Sequence, residues 1–168
     1  MPQFFKNYVY FIERINRAFG KFAMYLLYVM MAIMIFSSVT KFMHMPAMWT
    51  LEMAQFTLVA YYMLGAPWAL QEDANVRMDL LYSRASKRGQ AAWDAFTVFV
   101  LMFYLGVMLW GSFDATLYAL DVGEVNPTAW RPVMWPIKAI ISLAFLLMLL
   151  QASAHLIRDI ATIRRQEI

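Results

Sequence analysis

Residues 22–40, FAMYLLYVMMAIMIFSSVT, decide the fold: an uncharged run held between Lys21 and Lys41. As a helix rising 1.5 Å per residue, the run is about 28 Å long, close to the roughly 30 Å hydrocarbon core of a bilayer. Three more runs of equal length follow along the chain. They are 53–71 between Glu52 and Glu72, 95–113 between Asp94 and Asp114, and 139–157 between Lys138 and Arg158. Without water, every backbone N–H and C=O must bond inside its own segment, so each run is predicted to be helical.

Composition agrees. The chain of 168 residues is 62% hydrophobic and 15% charged, against about 45–50% and about 25% in soluble domains. Mean hydropathy is +0.54. Aromatic residues at 17% exclude disorder, because disordered chains are poor in them. The absence of cysteine excludes a disulfide scaffold, thiol catalysis, zinc–thiolate sites and iron–sulfur clusters. The expected fold is an all-α integral membrane protein with four transmembrane helices, forming one membrane domain over 1–168.

Lys and Arg set the orientation. Lys6, Arg14, Arg17 and Lys21 precede the first span, Arg77, Arg84, Lys87 and Arg88 follow the second, and Arg158, Arg164 and Arg165 close the chain. Only Lys41, Arg131 and Lys138 fall on the other side. Both termini are therefore expected in the cytoplasm. Trp49, Trp110, Trp130 and Trp135 fall near the outer boundary, and Trp68 and Trp93 near the inner one, where amphipathic rings settle. The first apolar run exceeds a usual signal core and no A-x-A site follows it, so it is expected to be retained. The basic residues are dispersed over three segments, which argues against nucleic-acid binding.

Residues 4–19 form a different element. On a helical wheel Phe4, Tyr8, Phe11, Ile12, Ile15 and Phe19 share one arc, with Lys6, Glu13, Arg14, Arg17 and Lys21 opposite. That pattern predicts an N-terminal amphipathic interfacial helix, its basic side toward anionic headgroups of membrane lipids. Residues 114–138, with Gly123, Pro127, Pro132 and Pro136, are expected to form a turn-rich outer loop.

Candidate chemistry is sparse. Glu52 opens the second span. A carboxylate there is a candidate ion or subunit contact, although a first-turn acid also suits the helix dipole. Asp121, Glu124 and Arg131 lie in the outer segment, with Asp114 nearby, and are candidates for docking an extracytoplasmic protein. Arg77 and Asp79 in the inner connection are candidates for pairing with each other or with a partner. His44 falls outside and His155 inside, so one haem or metal cannot take both. Gln55, Gln151, Ser37, Ser38, Ser142 and Ser153 are expected to bond across helices. Fifteen methionines supply adaptable packing and do not form a copper motif. No phosphate-binding glycine loop and no Ser/His/Asp set is recognisable. The chain is expected to be neither an enzyme nor the holder of a cofactor, catalytic residue or metal site.

Several short pieces, taken in order, resemble a known family. Trp49-Thr50-Leu51-Glu52 opens the second span and Tyr62-Met63-Leu64-Gly65-Ala66 leads to its inner end. Asn75-Val76-Arg77-Met78-Asp79-Leu80-Leu81 follows in the inner connection. Pro132-Val133-Met134-Trp135-Pro136-Ile137-Lys138 precedes the fourth span, which continues to Leu149-Leu150-Gln151. Over roughly 19–157 the chain resembles the small membrane subunit, DctQ-like, of tripartite ATP-independent periplasmic (TRAP) transporters. Asn75 departs from the histidine common at that position. The resemblance implies a large multi-span partner subunit, in a 1:1 ratio, that carries substrate and sodium sites. It also implies a periplasmic substrate-binding protein, an organic acid as substrate and a bacterial inner-membrane location. The small subunit would be a scaffold, with Glu52, Arg77 and Asp79 as helix-orienting or subunit-contact positions.

Three other classes compete, one of them a membrane-assembly or scaffold protein of another system, from which only the family-like pieces separate this chain. A self-sufficient small homo-oligomeric transporter typically carries a carboxylate in its first span and weak charge bias, and this chain has neither. A membrane anchor of a redox complex would need a haem or quinone site; the histidine positions oppose haem.

Overall fold

The computed structural model describes residues 3–45, 47–72 and 87–163. They form four helices: α1 (Gln3–Phe42), α2 (Trp49–Gln71), α3 (Lys87–Val122) and α4 (Trp135–Ile163). Consecutive helices pair as antiparallel hairpins, α1 with α2 and α3 with α4, and α2 packs against α4 to join them. α1 also meets α4, so α1, α2 and α4 contact one another, while α3 packs chiefly on α4. In the most apolar stretch of α3 just 6% is buried against the rest of the chain, compared with 28% for α4.

Small residues make the contacts. Among the described residues, seven of the thirteen buried apolar ones are alanine: Ala23, Ala54, Ala60, Ala119, Ala144, Ala152 and Ala154. That is the packing of membrane helices, where close backbone approach replaces the hydrophobic effect as the driving force. Gly20 shows the limit. A Cβ there would lie 2.5 Å from the Trp68 ring, so α1 and α2 touch at this level because the position lacks a side chain.

Residues 4–19, expected as a separate interfacial helix, and the run 22–40 lie in one helix. α1 is 40 residues long, about 60 Å, twice a hydrocarbon core. Nothing in residues 19–23 breaks it: Gly20 is isolated and no proline is near. Its buried side is Val9, Ile12, Asn16, Gly20 and Ala23, about a quarter turn from the apolar arc read from the sequence. Phe11 of that arc is 62% exposed.

The third helix outruns its uncharged stretch. Asp114 and Asp121, expected in the outer loop, both lie inside α3. The helix stops at Val122 because Gly123 adopts φ 64° and the Glu124 N–H bonds the Ala119 carbonyl at 3.0 Å, a Schellman termination. α1 ends the same way, with His44 at φ 57° and Met45 N–H on the Thr40 carbonyl at 3.0 Å.

Among the described residues, three helices are long and apolar enough to cross a membrane, within Lys6–Phe42, Phe96–Val122 and Trp135–Arg158. α2, expected as a span over 53–71, is not among them. Its 23 residues suffice in length, but Glu52, Gln55, Pro67 and its Tyr and Trp residues lower its hydropathy.

Candidate functional site

At the end bearing the termini, a polar seam fastens α1 to α4. Asn16 Nδ2 donates to Gln151 Oε1 at 2.6 Å, and both side chains are fully buried. Tyr8 and Ser153 share a hydroxyl–hydroxyl bond of 2.9 Å, and Glu13 pairs with Arg158. His155 Nε2 lies 3.1 Å from the Leu70 carbonyl of α2. His44, beyond α1, sits at the opposite end of the bundle. The expectation that neutral polar groups bond across helices holds for Gln151, Ser153, Ser142 and Ser37. Ser38 instead bonds its own helix at Met34, and Gln55 is exposed. Asn16 had no assigned role in the sequence, and Glu13 and Arg158 entered there only as charges of the wheel and of the inner side. The available signal was a polar Asn16 one turn from Ile12, off the basic side of α1.

Glu52 lies in the first turn of α2 and is 5% exposed. Around it the two helices are pinned. Thr50 Oγ1 bonds the Ala47 carbonyl at 2.8 Å and lies 3.0 Å from Ser37 Oγ, and the Phe36 and Trp49 rings are 5.7 Å apart. Glu52 Oε2 has no hydrogen-bond partner among the described residues. A helix dipole contributes about 0.3–1 kcal/mol to a first-turn acid. Leaving a buried polar atom unpaired costs about 1–3 kcal/mol.

The connection between α3 and α4 is ordered. Val125 and Val133 form a bridge, Asn126 N–H bonds the Pro132 carbonyl at 2.9 Å, and Met134 N–H bonds the Glu124 carbonyl at 3.0 Å. Glu124 pairs with Lys138, a partner the sequence did not suggest. Arg131, at φ 52°, is exposed beside the exposed Trp130. Non-glycine residues occupy that left-handed region at a cost of order 1 kcal/mol. Asp121 is exposed on the last turn of α3. The structure thus brings Glu124 to Lys138 and leaves Asp121 and Arg131 facing outward. Arg77 and Asp79 lie outside the described residues.

Between the hairpins an apolar cleft of about 620 Å³ is walled by Gly20, Tyr61, Gly65 and Trp68 on one side and Leu101 and Leu105 on the other. Among the described residues no group of three His, Asp or Glu is placed to hold a metal ion.

Residues 11–162 match the family described as tripartite ATP-independent periplasmic transporters, DctQ component. No curated protein and no solved structure gives a match.

Proposed function

Because this chain belongs to the DctQ family, we propose that it is the small subunit of a sodium-coupled system that imports an organic acid, and that it acts as a scaffold and does not carry the substrate. The family is a transporter component, not an enzyme family, and works with a large membrane subunit and a substrate-binding protein. The family match across 11–162 is the observation that carries the reading. The architecture supports it: helices with outward-facing flanks offer surface for a large partner.

In this proposal the chain crosses the inner membrane four times with both termini inside. α2 crosses despite its lower hydropathy because α1 covers one side of it and α4 the other. The large subunit binds in a 1:1 ratio. Glu52, Arg77 and Asp79 orient helices or meet that subunit. Asp121, Glu124 and Arg131 belong to the surface on which the binding protein docks, with Glu124 acting through Lys138 to hold the hairpin.

The test is uptake of radiolabelled dicarboxylates, 2-oxo acids and sialic acid into cells expressing the three native components. Uptake of one such acid that requires both a sodium gradient and this chain is the expected result. Full uptake after deletion of this chain alone would contradict the scaffold role.

A further inference from the structure

α3 is exposed around most of its circumference, and a row of residues at seam spacing runs along its outward side. Phe96, Val100, Phe103, Val107, Trp110, Asp114, Leu117 and Asp121 recur at alternating steps of four and three residues, and all eight are exposed. Trp110, the most exposed of its apolar members, is 78% accessible. That spacing is the a/d seam through which helices interdigitate. The seam lies opposite the side of α3 that carries Leu105, Thr116 and Ala119, which α4 covers.

Asp114 interrupts the apolar run, and its depth is given by α4. Thr116 bonds Ser142 at 3.1 Å, and Ser142 is one turn inside Lys138, where the uncharged run of α4 begins. Asp114 lies two residues deeper than Thr116. It therefore sits about 9 Å inside the level of Lys138 along the axis. Among the described residues it has no ion pair. Exposed ionisable groups at membrane depth are costly and rare on lipid-facing sides. The outward side of α1 makes the contrast: it is equally apolar and carries no charge between Lys21 and Lys41.

We propose that the outward seam of α3 is the surface against which the large membrane subunit packs, and that a basic side chain of that subunit pairs with Asp114. The exposed acid within the apolar stretch distinguishes this side of the molecule from α1. A single acidic residue within an a/d seam also fixes the register of the partner helix. The inference rests on the reading of the chain as a subunit of a transporter complex.

The experiment places a photo-crosslinking phenylalanine analogue singly at Phe103, Trp110 and Leu117 on α3, and at Tyr28 and Met31 on α1, in the chain co-expressed with its native large subunit. Crosslinks to the large subunit from the α3 positions and none from α1 are expected. Asp114→Lys is expected to reduce recovery of the large subunit at least tenfold at unchanged membrane content of this chain, with rescue by an acidic residue at the crosslinked basic position. Crosslinks from α1 only, or full recovery with Asp114→Lys, would overturn the seam while leaving the complex intact. Failure of the wild-type chain to recover any large subunit would overturn the subunit reading itself, and this inference with it.

Discussion

Asn16 and Gln151 stand 135 positions apart and meet through a buried amide–amide hydrogen bond of 2.6 Å. The Asn16 Oδ1 and Gln151 Nε2 atoms have no partner among the described residues, and they are complementary as acceptor and donor. Replacing one member strands the other, at about 1–3 kcal/mol. Asn16→Leu and Gln151→Leu should each lower the melting temperature in detergent. The double variant should recover part of the loss, with a coupling of about 0.6–1.7 kcal/mol, the range of interhelical bonds in membranes. Strict additivity would show that the pair does not fasten α1 to α4.

Gly20 and Gly106 offer a paired comparison. A Cβ at Gly20 meets Trp68, while one at Gly106 meets nothing within 4 Å. Gly20→Ala should destabilise the isolated chain by about 1–3 kcal/mol through overpacking. Gly106→Ala should leave it unchanged or stabilise it by up to about 1 kcal/mol through helix propensity. Thermal unfolding of both variants decides, and equal effects would refute the close approach of α1 and α2.

Glu52 separates stability from assembly. If its carboxyl serves the complex, Glu52→Ala should lower complex yield or uptake without abolishing insertion. The isolated variant should be no less stable than wild type, because the unpaired buried oxygen is gone. Wild-type yield and uptake would remove Glu52 from the interface.

The hairpin after α3 is open to the same logic. Arg131→Gly should relieve the left-handed backbone and raise stability by up to about 1 kcal/mol, yet weaken coupling to the binding protein. Trp130→Ala should weaken coupling as well. Uptake titrated with the binding protein measures this, and unchanged kinetics across substitutions in 121–131 would refute docking there.

Charge gaps located the helices well, because a membrane core tolerates few charges and demands internal backbone bonding. They misjudged helix ends, because a helix stops at a backbone signal and not at a charge. α3 passes Asp114 and ends only where Gly123 turns left-handed. The wheel of residues 4–19 identified an amphipathic segment, but its apolar arc is not the side that packs. The contact surface is small and polar, Asn16 and Gly20, and hydrophobicity does not mark it. Glu52 was visible as a lone acid, whereas its unpaired state needed coordinates. Lys138 looked like a boundary charge and proved to be the partner of Glu124.

Orientation has its own test. Eleven bases on one side against three on the other predict Ile168 in the cytoplasm. A reporter fused there should be active only if it folds inside, and an outside signal would reverse the assignment of every loop.

The central claim is that this chain works as one part of a larger membrane complex. A mild-detergent pull-down of the tagged chain from its native membrane, with the co-purifying proteins identified by mass spectrometry, tests it most directly. The account expects one large polytopic permease in a 1:1 ratio. Recovery of the chain alone, as a homo-oligomer, would contradict it.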